Sequence, residues 1–321
     1  MIGFDSIKSN LLNNYHQHKL HHAILFHGKK GIGKASFARE FALEILRANT
    51  TSSQGKNQFS QENFIGNTFL AKANHPDLFL IEKQENKRDI VVDQIRKIAD
   101  FSNQTSAISK NKFIIIDAAD ELNRAASNAL LKILEEPHPN NFLILISHNP
   151  SKLLATVKSR CHLIKIADLS NEDFTKILQK SLFKFTAQEI KIMSIMCDNS
   201  PAKAIDVGRD MIEIYELFLN SIKNNIISEE LVKKIADKNF NFEIFSEVVM
   251  FFLHRLSGYN GGQIEYFLFS EKEVFAMLNQ KFDIEKIFNL SDEMAKELAQ
   301  MAFLNLDKKL LLVNLFNIFS L

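Results

Sequence analysis

Glycine and proline are scarce: ten and five in 321 residues, under half the usual combined share of roughly 12%. Sandwiches and barrels turn on these residues, so an all-β fold is excluded, as are collagen-like and low-complexity chains. Cysteine is nearly absent. Cys161 and Cys197 cannot frame a disulfide scaffold, and they suit a reducing, cytoplasmic compartment. Long hydrophobic runs are missing too. The longest purely apolar stretch, residues 248–253, is far short of the roughly 20 residues that span a bilayer. The first residues, MIGFDSIKSN, lack the basic-then-apolar pattern of a leader. No membrane partner is expected.

An excess of one charge sign is missing overall, since the net charge is +1, and a polybasic nucleic-acid coat is thereby excluded. Divided after residue 166, however, the front part carries 22 basic and 15 acidic side chains and the rest 17 and 23. A basic front part favours phosphates; two domains with ordinary surface charge is the other reading. The length allows about two domains, or three small ones.

The few breakers that exist are concentrated. Gly28, Gly31 and Gly33 fall within six residues, and all five prolines lie between Pro76 and Pro201. Up to residue 166, short apolar runs at 23–26, 78–81, 113–116, 142–146 and 162–166 alternate with helical segments. That pattern predicts a parallel sheet covered on both faces. Residues 49–74 are polar and aperiodic and read as a surface insertion. From about 209 onward the periodicity is helical, with Ile244, Phe245, Val248, Val249, Phe252 and Leu253 on one face. Another stripe, Ala126, Ala129, Leu130, Ile133 and Leu134, predicts a core-facing helix stopped by Pro137.

The segment AILFHGKKGIGKASFAREFALEIL reads as strand, turn and helix, and residues 28–34 spell G-x-x-x-x-G-K. Glycines let backbone N–H groups converge on phosphate oxygens, the helix start adds its positive end, and Lys34 reaches toward the outer phosphates. Two groups of an ATPase are missing. The residue after the lysine should carry a hydroxyl for Mg²⁺, and it is Ala35. The run 113–116 ends in Asp117, placed to hold Mg²⁺, but the expected water-polarising Glu is replaced by Ala118 and Ala119. Loss of both argues against hydrolysis.

The stretch FIIIDAADELNRAASNALLKILEEPHPNNFLILISHNPSKLLATVKSRC, with N-A-L-L-K-x-L-E-E-P from Asn128 to Pro137 and S-R-C at Ser159, Arg160 and Cys161, resembles the delta-prime subunits of bacterial DNA polymerase III clamp loaders. HPDLFLIE and IVVDQIRKIADF are similar to that family as well, and the likeness covers about residues 20–170. It implies an α/β plus all-α fold: an AAA+ P-loop domain over 1–166, a helical lid over 167–208 and a helical collar over 209–321. It implies a subunit of a DNA-directed DNA polymerase holoenzyme in a bacterial, nucleoid-associated replisome. The partners implied are gamma/tau and delta subunits in a hetero-pentameric ring, with the sliding clamp and primed DNA reached through the complex.

Within that resemblance Arg160, with Ser159 setting the turn, is expected as an arginine finger toward a neighbour's γ-phosphate. An ion pair with a nearby carboxylate is the alternative from residue type alone. The degenerate site would comprise Gly28, Gly31, Gly33, Lys34 and Asp117. Lys203 stands where the family's lid helix often contacts its own nucleotide, and a solvated helix-face lysine is the other reading. Ser147 and His148 end the strand where a polar sensor is expected, with a surface histidine left open. No cofactor is required, and ATP or ADP binding is at most weak. Many relatives carry a four-cysteine zinc module, whereas residues 49–74 contain no cysteine, so no zinc is expected. An active gamma/tau-like motor is the first competing function. A stand-alone DNA-binding module is the second, disfavoured by the lack of a basic and aromatic stripe.

Overall fold

The computed structural model describes residues 2–49, 75–84, 87–237, 240–260, 262, 265–304 and 308–319. The chain divides into two compact units, Met1–Lys184 with Asn199–Ala202 and Phe185–Asp198 with Lys203–Leu321.

In the first unit all five expected apolar runs are strands: β1 (Ala23–His27), β2 (Leu78–Glu82), β3 (Lys112–Asp117), β4 (Asn141–Ser147) and β5 (His162–Lys165). They pair in parallel in the order β2-β3-β4-β1-β5. The helices are α1 (Asp5–His16), α2 (Lys34–Ala48), α3 (Val92–Asn103), α4 (Arg124–Glu135), α5 (Ala155–Lys158) and α6 (Asn171–Gln179).

Successive side chains of a strand point to opposite faces, and here both faces are covered. Ile24, Phe26, Phe113, Ile115, Ile144 and Ile146 join Phe37, Phe41 and Ile45 of α2 on one side. Ala23, Leu25, Ile114, Ile116, Leu143 and Leu145 meet Ile95 and Ile98 of α3 and Ala126, Leu130 and Leu134 of α4 on the other. Each fully buried large aliphatic or aromatic side chain contributes about 1.5–3 kcal/mol, so β1, β3 and β4 anchor the unit. Asn123 caps α4 by accepting from the Ala126 N–H at 2.8 Å. The helix ends at Glu135, ahead of Pro137, with the expected apolar stripe against the sheet. Apart from Asn49, the C-cap of α2, the stretch 49–74 lies outside the described residues.

The second unit is helical among its described residues: α7 (Ala187–Met196), α8 (Pro201–Asn224, from Lys203 on), α9 (Glu229–Ala236), α10 (Phe242–Asn260), α11 (Phe269–Asn279), α12 (Ile284–Leu304) and α13 (Lys308–Phe319). Ile244, Phe245, Val248, Val249, Phe252 and Leu253 are all buried, as their spacing predicts. One charged cluster is buried with them. Glu271, fully inaccessible, accepts from Tyr215 Oη at 2.7 Å, from Arg255 Nη2 at 2.9 Å and from the Phe267 N–H at 2.9 Å. Arg255 Nε also donates to Glu271. The fold class is thus α/β with a P-loop sheet, followed by all-α structure. Among the described residues, no helix is long and apolar enough to cross a membrane.

Candidate functional site

Parallel register brings the C-terminal strand ends together. Asp117 lies beside Ile146, and Ser147 lies opposite His27, the residue before Gly28. The turn that follows β1 needs its glycines. Gly31 has φ +79, and a Cβ there would sit 2.1 Å from Ser200 Oγ. Gly33, at φ +98, is the left-handed N-cap of α2, a conformation that costs other residues strain. The Gly28 N–H donates to the Ser147 carbonyl at 3.3 Å, which ties the loop to β4.

Lys34, the first residue of α2, is 2% exposed. Its ammonium donates to the Gly28 carbonyl at 2.7 Å and to the Lys29 carbonyl. The lysine therefore turns onto its own loop. Burial lowers its pKa to about 8, against the opposing pull of Asp117 and Asp120. Asp117 is pushed up to about 6, chiefly by burial and then by Glu82, with Lys34 opposing. Burial, reinforced by Lys34, drives His148 down to about 4. His148 Nε2 lies 3.9 Å from Asp117 Oδ1; with the ring neutral near pH 7, this is a polar contact and no ion pair.

Ser147 is fully buried, and His148 is partly buried, with its side chain 24% exposed. Among the described residues neither Ser147 Oγ nor His148 Nδ1 has a hydrogen-bond partner. Unpaired buried polar atoms are rare and costly. Here two of them stand beside a phosphate-type loop.

The two sequence defects have structural counterparts. Ala35 packs its methyl against the core beneath α2, and Ala118 is 4% exposed. The next acid, Asp120, uses Oδ1 to accept from the His148 N–H at 2.8 Å, a link the sequence did not announce. Glu121 is paired with Lys83 at 3.0 Å. The backbone cradle suits a phosphate. The donor set does not suit a Mg²⁺–nucleotide, because the side chain at position 35 is a methyl group and carries no oxygen beside Lys34. Among the described residues no three His, Cys, Asp or Glu side chains gather to hold a metal ion.

Arg160 follows α5 in a turn where Ser159 Oγ donates to the Thr156 carbonyl at 3.1 Å. Its Nη2 pairs with Glu135 Oε1 at 2.8 Å, the side chains being 37% and 49% exposed. Its Nη1 donates to the Thr156 carbonyl at 3.1 Å. The carboxylate partner left open by residue type is thus present, and it comes from the E-E-P end of the long signature. Cys161 is buried, with its thiol pushed up to about 12, hence unreactive. Lys203 belongs to the second unit and pairs there with Glu247 Oε2 at 2.9 Å.

A five-stranded parallel sheet, a glycine turn opening α2 and an acid ending β3 define the class: a P-loop α/β domain. The matching family model narrows this. It is described as DNA polymerase III, delta subunit, it matches residues 4–170, and the chain belongs to that family. The DNA polymerase III subunit delta′ of Pseudomonas aeruginosa is 40% identical over 142 residues, covering 44% of this chain and 41% of that protein. The subunit delta′ of Haemophilus influenzae is 32% identical over 208 residues, covering 64% and 58%. The chain thus spans 41% and 58% of the length of these two relatives. Among solved structures, a DNA polymerase III gamma subunit-related protein of Thermotoga maritima aligns with 99% of this chain and 98% of its own, at 18% identity and TM-score 0.48.

Proposed function

We propose that this chain is the non-hydrolysing delta-prime member of a clamp loader. It would sit in a hetero-pentameric ring with gamma/tau and delta subunits that places a sliding clamp on primed DNA in the bacterial cytoplasm. It lends Arg160 to the ATP of a neighbouring subunit. The observation that carries the first half is the loss of two different catalytic groups at one site, at Ala35 and Ala118. The half-exposed guanidinium at the edge of the first unit supports the second. A chain without its own turnover machinery gains nothing from a finger toward its own phosphate, whereas a neighbour gains charge stabilisation in the transition state. The intact Gly28–Lys34 backbone is compatible with weak ATP or ADP binding. Within this reading the sheet domain gives way to the lid near 167 and the lid to the collar near 209, the latter position lying inside the continuous helix α8.

The test has two arms. Purified protein with Mg²⁺ and ATP is expected to give no turnover above background; steady hydrolysis abolished by Lys34→Ala would instead make it a motor. In a loader reconstituted with its partner subunits, Arg160→Ala should lower clamp- and DNA-stimulated turnover by about 10³-fold or more. Arg160→Lys should rescue poorly, lacking the planar fork. Unchanged turnover, with assembly verified by gel filtration, would leave Arg160 a surface ion-pair residue.

A further inference from the structure

We propose that Glu135 is a positioning residue for Arg160, its carboxylate setting the direction in which the guanidinium leaves the first unit. This rests on the reading of Arg160 as a finger. Glu135 is the last residue of α4, and that helix is fixed in register by the Asn123 cap and by buried Ala126, Leu130 and Leu134. Arg160 rises from a turn fixed separately, by the Ser159 hydroxyl on the Thr156 carbonyl at 3.1 Å. Two independently anchored elements therefore meet at one side chain.

The contacts act on different corners of the fork. Glu135 Oε1 takes Nη2 at 2.8 Å, and the Thr156 carbonyl takes Nη1 at 3.1 Å. An arginine side chain has large rotamer freedom, and a group acting on a transition state must be held within roughly 0.5 Å. Anchoring at two corners removes that freedom and leaves the remaining N–H donors for an incoming anion. The pair stays half exposed, so the guanidinium remains within reach of a second molecule. Glu135 touches no substrate in this arrangement and works through Arg160.

The experiment uses the reconstituted loader with ATP, comparing wild type, Glu135→Gln, Glu135→Asp, Arg160→Ala and the Glu135→Gln/Arg160→Ala pair. Glu135→Gln should lower kcat about fivefold, the equivalent of about 1 kcal/mol for a surface pair. KM for ATP, gel-filtration profile and the melting temperature of the free chain should not move. Glu135→Asp should recover part of the loss, and Glu135→Gln should add nothing once Arg160 is gone. If Arg160→Ala is slow while Glu135→Gln turns over at or above the wild-type rate, the positioning role is wrong. If Glu135→Gln slows the Arg160→Ala loader further, its effect does not pass through Arg160, which also overturns it. If Arg160→Ala itself has no effect, the finger reading fails, and the role of Glu135 falls with it.

Discussion

Two groups of buried polar side chains, one in each unit, are built on opposite plans. Around Glu271 the donors converge on one carboxylate: the Tyr215 hydroxyl, Nε and Nη2 of Arg255 and the Phe267 N–H. Around Lys34 the arrangement is incomplete. Ser147 Oγ and His148 Nδ1 have no partner among the described residues, and burial pushes Lys34, Asp117 and His148 away from their charged forms. A saturated cluster fixes helices against one another and has no capacity left for a ligand. An unsaturated one keeps donors and acceptors for something that arrives from outside. Buried charge alone therefore does not distinguish the two clusters; unused hydrogen-bonding capacity does.

The largest expected effect breaks the saturated cluster. Glu271→Gln leaves the Arg255 guanidinium, 7% exposed, without its counter-charge, and urea unfolding should show a loss of about 3–5 kcal/mol. A loss below about 1 kcal/mol would mean that the pair is solvated in practice.

The opposite sign is expected at the unsaturated cluster. The folded pKa of Asp117, about 6, lies above its ordinary 3.8. Between those values the folded state binds more protons than the unfolded one, so this group makes stability fall as pH rises. Asp117→Asn should remove that slope, gaining of order 2 kcal/mol over wild type at pH 7 and nothing below about pH 4. His148 acts the other way in an overlapping window, since its folded pKa of about 4 lies below 6.5. Stability from keeping it neutral is present above 6.5 and is lost as pH falls toward 4. Paired melts of wild type and Asp117→Asn across pH 4–7 isolate the aspartate; parallel curves would show that it is ionised at no penalty.

The smallest effect sharpens the contrast from the ligand side. Ala35→Ser returns the missing hydroxyl at the second residue of α2. Stability should change by less than about 0.5 kcal/mol, while ATP binding in equilibrium dialysis should become tighter and Mg²⁺-dependent. Identical binding with and without Mg²⁺ would mean that Ala35 is not what limits the site.

The sheet was legible because its strands are continuous apolar runs set between turn residues, and residues 142–146 could hardly have been read otherwise. The Ile244–Leu253 stripe was legible through its spacing, and the loop through Gly28, Gly31, Gly33 and Lys34. Side-chain partnerships were not. Nothing in the sequence ties Glu135 to Arg160, because their meeting depends on where α4 ends relative to α5. Nor does it pair Lys203 with Glu247, on different helices, or aim the Lys34 ammonium at the loop carbonyls of Gly28 and Lys29. The resemblance supplied candidate roles for such residues, whereas their actual partners came only with three-dimensional packing.

The register of β1, β3 and β4 has an evolutionary consequence. Asp117, Ser147 and the residue before Gly28 are spaced by the hydrogen-bond ladder of neighbouring strands, not by the segments that join those strands. Connections between them can lengthen, shorten or change composition over generations without displacing the three positions relative to one another. The same ladder holds those positions whatever side chains stand at 35 and 118, where this chain carries alanine. Residues that carry the sheet are selected for packing and residues that carry the chemistry for turnover, so relaxing the second constraint leaves the first in force.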